Sequence, residues 1–507
     1  MKLIKLNTVV ASALLLLSSV DTHAQTDYIY KNFQNPPAEA RPQVWWHWMN
    51  GNVSKDGIRK DILWMHNSGI TGFHVFDAGM GCPQIVPKLI TYLSPEWKDC
   101  LKYAVSLADS LHMDVTIAAS PGWSCTGGPW VKPEDAMKKI TWHSMIINGG
   151  RTFKGKLPEA FNATGNFRDM DNGNLNTVKY YKDIAVIAVK LNSGDDSPES
   201  LKARLTCSGG NFTLEQLNDE KLKNGEKLTP DSEGKLWIEY TYPQPQTIRA
   251  LSICDGSIRN NWDNGLARSL FHLECSDNGK DYKKICDIPQ GGAYQQTISI
   301  PKTTAKHFRL VCDHPNGSGK DAFMHFSEFS LHPSSRVNFA EERAGFSSYS
   351  RLNSYPMVKS DDAIPTDNVI DISNYADSEG NLNWKAPAGK WQIYRFGYSL
   401  TGKVNHPASP QGTGLEVDKL DKAAVNRYLT HYLDIYRDAT GGMLGKRGIN
   451  GLLIDSYEAG NATWTINMPR EFSSRRGYEL YKWLPVIAGR IIGSSDESER
   501  FLCDWRK

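Results

Sequence analysis

Two rhythms of apolar and polar residues run along the chain. From residue 41 to about 195, short apolar runs alternate with stretches that carry an apolar side chain every three or four positions. Val44-Trp45-Trp46-His47-Trp48 predicts a strand ending at Met49-Asn50-Gly51. Ser54 predicts the cap of a helix in which Ile58, Ile62 and Met65 share one face and Gly69 is the stop. Residues 72–76 predict a second strand, ending at Asp77-Ala78-Gly79. Ser94-Pro95-Glu96 opens a second helix, with Leu101, Val105 and Ala108 at helical spacing. Residues 113–119 predict a third strand, which runs into SPGWSCTGGPW. Strand–helix alternation with short links implies parallel strands. Polar, Gly-rich or aromatic strand ends suit the active face of a barrel.

Near residue 196 the period becomes two. The stretches 236–253, 271–285, 306–314 and 326–333 alternate as strands, and Asn278-Gly279 predicts a hairpin turn. The first rhythm resumes near Trp391. WQIYRFGYSLTG predicts a strand with its exit loop, and Ala424, Tyr428, Tyr432 and Tyr436 recur every fourth residue of a helix that Gly441 ends. Residues 451–454 predict a buried strand leading into Asp455-Ser456-Tyr457-Glu458, and RRGYELYKWLPVIAGRII predicts a last helix. The expected fold is α/β: a (β/α)8-type barrel over residues 25–195 and 334–507, with an all-β sandwich inserted at 196–333. About five strand–helix units stand against the eight of a closed barrel, so the barrel is expected to be incomplete within this chain.

Charge and the N-terminus narrow the setting. Lys2 and Lys5, the apolar run 9–20 and Thr22-His23-Ala24 predict a cleaved secretory signal over residues 1–24, hence a secreted or periplasmic protein. No cysteine follows that run, so no lipid anchor is expected, and no later run reaches the roughly 18 apolar residues of a spanning helix. A formal net charge of +2 gives no reason to expect nucleic acid or an anionic membrane as partner. The 15 Trp and 21 Tyr suit stacking on sugars as well as core packing. The nine cysteines lack zinc-site spacing; five lie between Cys207 and Cys312, which allows a disulfide there in an oxidising compartment.

The candidate chemistry gathers at strand ends. An apolar run at 451–454 places Asp455 and Glu458 at a strand's C-terminal end. A Glu there, next to Tyr457 and near Trp464 in sequence, suits either a catalytic acid of raised pKa or a helix-capping, salt-bridged role. Asp77, Glu416, Asp418 and Asp455 are positional candidates for a base. Asp77 could equally meet sugar hydroxyls, a metal or loop amides. Glu416 and Asp418 alternate before a helix, where they fit calcium ligands or cap and dipole partners equally well. Trp46, Trp48, Trp123 and Trp130 could form apolar platforms for a deoxyhexose or pack a core. His47 faces away from Trp46 and Trp48, and His406 lies on a Gly/Pro-rich loop where it could contact substrate. No GxSxG elbow and no P-loop lysine is present.

Several long motifs carry a resemblance. RPQVWWHWMNGNVSKDGIRKDILWMHNSGITGFHVFDAG, SPGWSCTGGPWVKPEDAMKKI, GTGLEVDKLDKAAVNRY, INGLLIDSYEAGNATWT and FSSRRGYELYKWLPVIAG resemble glycoside hydrolase family 106 over nearly the whole mature chain. The known members are α-L-rhamnosidases of plant-glycan-degrading bacteria. The resemblance implies a (β/α)8 catalytic domain, inversion at the anomeric carbon, a calcium ion at the sugar site and an oligo- or polysaccharide substrate. It also implies that Glu458 matches the catalytic acid, and that the base is a Glu on a later strand, past Lys507. Within 196–333, "DNGKDY", "FRLV" and "SEFSL" resemble a discoidin-like β-sandwich, which serves in such enzymes as spacer or as glycan binder. Two alternatives stand beside this expectation: a truncated paralogue that binds glycan without cleaving it, and a hydrolase of another sugar.

Overall fold

The computed structural model describes residues 27–168, 170, 178–192, 194, 195, 197, 198, 200–223, 225–255, 269–289, 291–347 and 352–507. The signal expected at 1–24 lies outside them. The chain forms two compact units. No helix of the described residues is long and apolar enough to cross a membrane. All nine cysteines are free thiols, so the disulfide allowed between Cys207 and Cys312 is not formed.

The first unit takes the chain up to Pro129, then Asn405–Thr413 and Leu429–Glu458. It opens with β1 (Gln43–Met49), α1 (Lys55–Asn67), β2 (Gly72–Ala78), α2 (Pro95–Ser110) and β3 (Asp114–Ala118). Both helix starts are capped as their sequences predict: Ser54 Oγ accepts from the Gly57 N–H and Ser94 Oγ from that of Trp97. α1 buries Ile58, Ile62 and Met65, and α2 buries Trp97, Leu101, Val105 and Ala108. Each of the Ile, Leu, Val and Met side chains among these contributes roughly 1.5–3 kcal/mol on leaving water. Gly51 follows β1 at φ +70°, and a Cβ there would meet the Ile90 carbonyl oxygen at 2.0 Å, so the turn requires glycine.

The second unit holds Trp130–Val404, Gly414–Tyr428 and Ala459–Lys507. Its strands are β4 (Lys138–Asn148), β5 (Thr152–Lys156), β6 (Tyr181–Lys190), β7 (Arg204–Cys207), β8 (Glu226–Leu228), β9 (Leu236–Cys254), β10 (Ser269–Ser276), β11 (Lys283–Pro289), β12 (Gln296–Cys312), β13 (Met324–Phe326), β14 (Glu328–His332), β15 (Val369–Asp371), β16 (Asn381–Lys385) and β17 (Lys390–Leu400). An antiparallel sheet runs β11-β10-β12-β9-β14, with β7 also on β9, and β8 pairs β13 beside it. The turn with Asn278-Gly279 joins β10 to β11 as the sequence predicts. Tyr240, Phe308 and Phe329 are fully buried in the core of these strands.

A second antiparallel sheet runs β15-β6-β17-β4. This corrects the expected return of β/α alternation at Trp391: β17 lies between two antiparallel partners. Every residue of it from Trp391 to Leu400 is buried. Coverage on both faces yields the near-continuous apolar run that a parallel strand also shows, so pattern alone cannot separate the two.

The chain then forms α3 (Lys422–Thr440) and β18 (Ile449–Leu453). β18 pairs parallel to β3, giving the first unit a parallel sheet in the order β1-β2-β3-β18. Ala424, Tyr428, Tyr432 and Tyr436 are buried as their spacing predicts, and the Tyr432 hydroxyl donates to the Ala118 carbonyl at 2.8 Å. β18 is less buried than its composition suggests. Among the described residues it pairs with β3 alone, and Leu452 and Ile454 are exposed. The last predicted helix is not continuous. α4 (Met468–Arg476) stops at Gly477, φ +78°, and after one 3-10 turn a four-residue helix spans Leu484–Ile487. α5 (Ser495–Arg506), capped by Ser494, closes the described chain.

Candidate active site

The C-terminal ends of parallel strands bring dispersed residues together in the first unit. β18 runs out into Asp455 and Glu458, β2 carries Asp77 just before its last residue, Ala78, and β3 leads to the loop bearing Trp123. The segment Asn405–Thr413 crosses these ends. His406 O accepts from the Trp123 amide at 3.0 Å, and Pro407 O from that of Gly79 at 3.2 Å. Asn405 Nδ2 donates to the carbonyls of Pro121 and Gly412 at 2.9 and 3.0 Å. His406 is thereby fixed, and its Nε2 lies 3.1 Å from Glu458 Oε2. The two side chains keep 45 and 43% of their exposure, so Glu458 has a histidine partner in an open setting rather than an apolar enclosure.

His47 forms the neighbouring wall. Its ring stacks on Phe76 at 4.9 Å, and Trp123 Nε1 donates to its Nε2 at 3.0 Å. An indole N–H can only donate, so Nε2 is unprotonated and the imidazole is neutral. Burial pushes the His47 pKa down in agreement, against the pull of the Asp455 charge. Cys125 Sγ rests 3.1 Å from the Ser456 carbonyl and tethers the turn that carries Glu458.

The other predicted residues separate clearly. Asp77 is only 6% exposed; its Oδ2 accepts from Trp97 Nε1 at 3.0 Å, and burial raises its pKa to about 7. Trp46 and Trp48 occupy the opposite face of β1 from His47. Trp46 packs on Phe73 and donates to Asp61 at 3.0 Å, while Trp48 is buried edge-to-face on Trp97. Trp130 belongs to the second unit, as do Glu416 and Asp418. Glu416 is buried in an ion pair with Lys419 at 2.6 Å. Asp418 is buried 3.5 Å from Lys138 Nζ, and its Oδ1 accepts from the Leu420 amide. Burial raises the Asp418 pKa and lowers that of Lys138.

Calcium takes about six to eight oxygen ligands. Among the described residues no group of three or more His, Cys, Asp or Glu side chains could hold a metal ion. The residue that sequence reasoning left unassigned is His47. Strict alternation through Trp45-Trp46-His47-Trp48 put it opposite Trp46 and Trp48, but a strand in isolation does not tell which face its helices cover.

Comparison with known proteins identifies the family. A sequence model of a glycoside hydrolase 106 family, described as alpha-L-rhamnosidase, matches residues 34–507. A solved rhamnosidase from Novosphingobium sp. PP1Y is 37% identical, with a TM-score of 0.82 over 94% of this chain and 44% of that one. A curated protein of Formosa agariphila, provisionally named a beta-glucuronidase, is 26% identical over 480 residues, 94% of this chain and 28% of its own length. The chain thus spans less than half the length of either relative.

Proposed function

The chain belongs to glycoside hydrolase family 106, and on that premise we propose that it serves the inverting hydrolysis of α-L-rhamnosides of plant polysaccharide, outside the cytoplasm, with Glu458 as general acid. The observation that carries the reading is the Glu458–His406 pair at 3.1 Å, set at the end of a parallel strand. In this reading the parallel sheet belongs to a (β/α)8 barrel, and β7–β14 form an inserted discoidin-like sandwich. Glu458 delivers its proton to the departing glycosidic oxygen as the bond to the anomeric carbon breaks. His406 holds Oε2 and so aims the carboxyl. The neutral His47–Trp123 pair provides a polar edge and an aromatic face beside it. Inversion also needs a carboxylate base about 6.5–9.5 Å away, activating water on the opposite face of the sugar. The family resemblance assigns that role to a Glu on a later barrel strand and also implies calcium; no residue here is assigned to either.

The test is Glu458→Gln in the complete enzyme, with a natural rhamnoside as substrate and NMR detection of the first-formed anomer. Hydrolysis should fall about 10²–10⁴-fold. An activated aryl rhamnoside, whose leaving group needs little protonation, should lose less. Equal activity of variant and parent on the natural substrate refutes the role. A second reading, glycan binding without cleavage, draws on one observation. Of the four candidate bases, Asp77 is sealed against Trp97 and Glu416 and Asp418 are buried with lysines in the second unit, which leaves Asp455 beside Glu458.

A further inference from the structure

The second unit encloses a cavity of about 420 Å³ between the β4/β17 face of one antiparallel sheet and the β9/β12/β14 face of the other. That size lies within the range of small-molecule sites and would take on the order of a dozen waters. Its lining is mostly polar. Ser144 Oγ donates to Glu220 Oε1 at 3.0 Å and accepts from Gln392 Nε2 at 2.9 Å. Arg168, stacked near Trp142, bonds Glu220 Oε2 at 2.9 Å. Ser330 Oγ hydrogen-bonds Glu328 Oε1 and sits 2.9 Å from Asn218 Oδ1. The side chains of Asp219 and Glu220 keep 23 and 31% exposure, which marks an open end.

Two buried groups in this lining have hydrogen-bonding capacity to spare. Glu328 is 4% exposed, and its Oε2 has no partner among the described residues. Arg168 is 3% exposed, and its Nε–H likewise has none. An orphaned buried polar atom costs about 1–3 kcal/mol, and two such atoms on residues that line one cavity point to a ligand that satisfies both once it is seated there. The charges narrow its chemistry. Arg168 is already paired with Glu220, and Arg336 and Arg490 with Asp195. A charged guest would have to break one of these pairs away from water, whereas a hydroxyl donates and accepts at once. Burial pushes Glu328 up to about 8, so its carboxyl is uncharged near neutrality and can itself donate.

We propose that this cavity binds one neutral pyranose, with Glu328 and Arg168 bonding its hydroxyls and Trp142 facing its C–H edge. The inference does not depend on the role of Glu458. The test is calorimetric titration of the Glu458→Gln protein with D-galactose, D-xylose and L-rhamnose, and with D-galacturonate as the charged comparison. At least one neutral sugar should bind one-to-one with a Kd of about 1 mM or tighter. Glu328→Gln, and separately Asn218→Ala should either variant misfold, should weaken it about tenfold, and galacturonate should bind no better than galactose. No saturable binding of any neutral sugar, binding indifferent to both cavity variants, or a clear preference for galacturonate would overturn the proposal.

Discussion

Glu458 and Glu328 are the same chemical group in opposite surroundings. In the first unit Glu458 stands half in water, and its one partner of note is His406, which a cross-stitched loop delivers to it. In the second unit Glu328 is buried beside the charged pair Arg168–Glu220, and half of its carboxyl is idle. The contrast teaches what each site can ask of a carboxyl. An open, singly partnered acid can exchange its proton with a substrate and recover it from solvent. An enclosed one keeps its proton to higher pH because of burial and suits recognition instead.

The largest effect that separates the two should come from Glu458→Gln. Hydrolysis falls about 10²–10⁴-fold, while thermal stability stays within about 0.5 kcal/mol because the side chain is a half-exposed surface group. An unfolding scan beside the kinetics checks both halves, and a large loss of stability would erase the contrast. Asp195→Asn should do the reverse in the second unit. It leaves Arg336 and Arg490 buried without their counter-charge, at a cost of about 3–5 kcal/mol read from denaturant unfolding. Burial alone would raise Asp195, yet the two guanidiniums hold it well below the usual carboxylate range.

A third measurement sharpens the comparison through pH. Burial raises Glu328 from 4.5 to about 8, with Glu220 and Asp219 pushing the same way and Ser330 and Arg168 opposing. Its folded-state pKa exceeds its unfolded one, so the folded state binds the extra proton between those values. The stability this contributes is fully present below about 4.5 and is lost as pH rises through about 8. Thermal midpoints of parent and Glu328→Gln should therefore diverge across that window, and parallel curves would contradict it. The smallest effect is that of His406→Ala. Loss of one hydrogen bond, about 1 kcal/mol, should lower kcat about fivefold with KM little changed. Restoration by His406→Gln would show that His406 acts by holding Glu458.

The local parts of this fold were readable and the long-range parts were not. Ser54 and Ser94 announce their helices because a cap is a contact between near neighbours. The four-residue spacing of Ala424 to Tyr436 announces a buried stripe for the same reason. β17 misleads because cover on both faces removes the alternation that distinguishes sheet types. At the site, the strand-end position of Glu458 was legible from the apolar run before it. Its partner was not, since His406 lies some 50 residues earlier and reaches it only through loop geometry. The enclosed cavity left no trace in local sequence, because its walls come from two sheets, one of which is inserted whole between β6 and β15 of the other.

The order β1-β2-β3-β18 also has a consequence in time. β3 ends at Ala118 and its parallel neighbour begins at Ile449, about 330 residues later. At a synthesis rate of about 5–20 residues per second, the edge of β3 waits on the order of half a minute for its partner to exist. All of β4 to β17 is made in that interval. The antiparallel sheets can thus be complete while β18 is still unmade, and the strand end that holds Glu458 is among the last features of this chain to assemble.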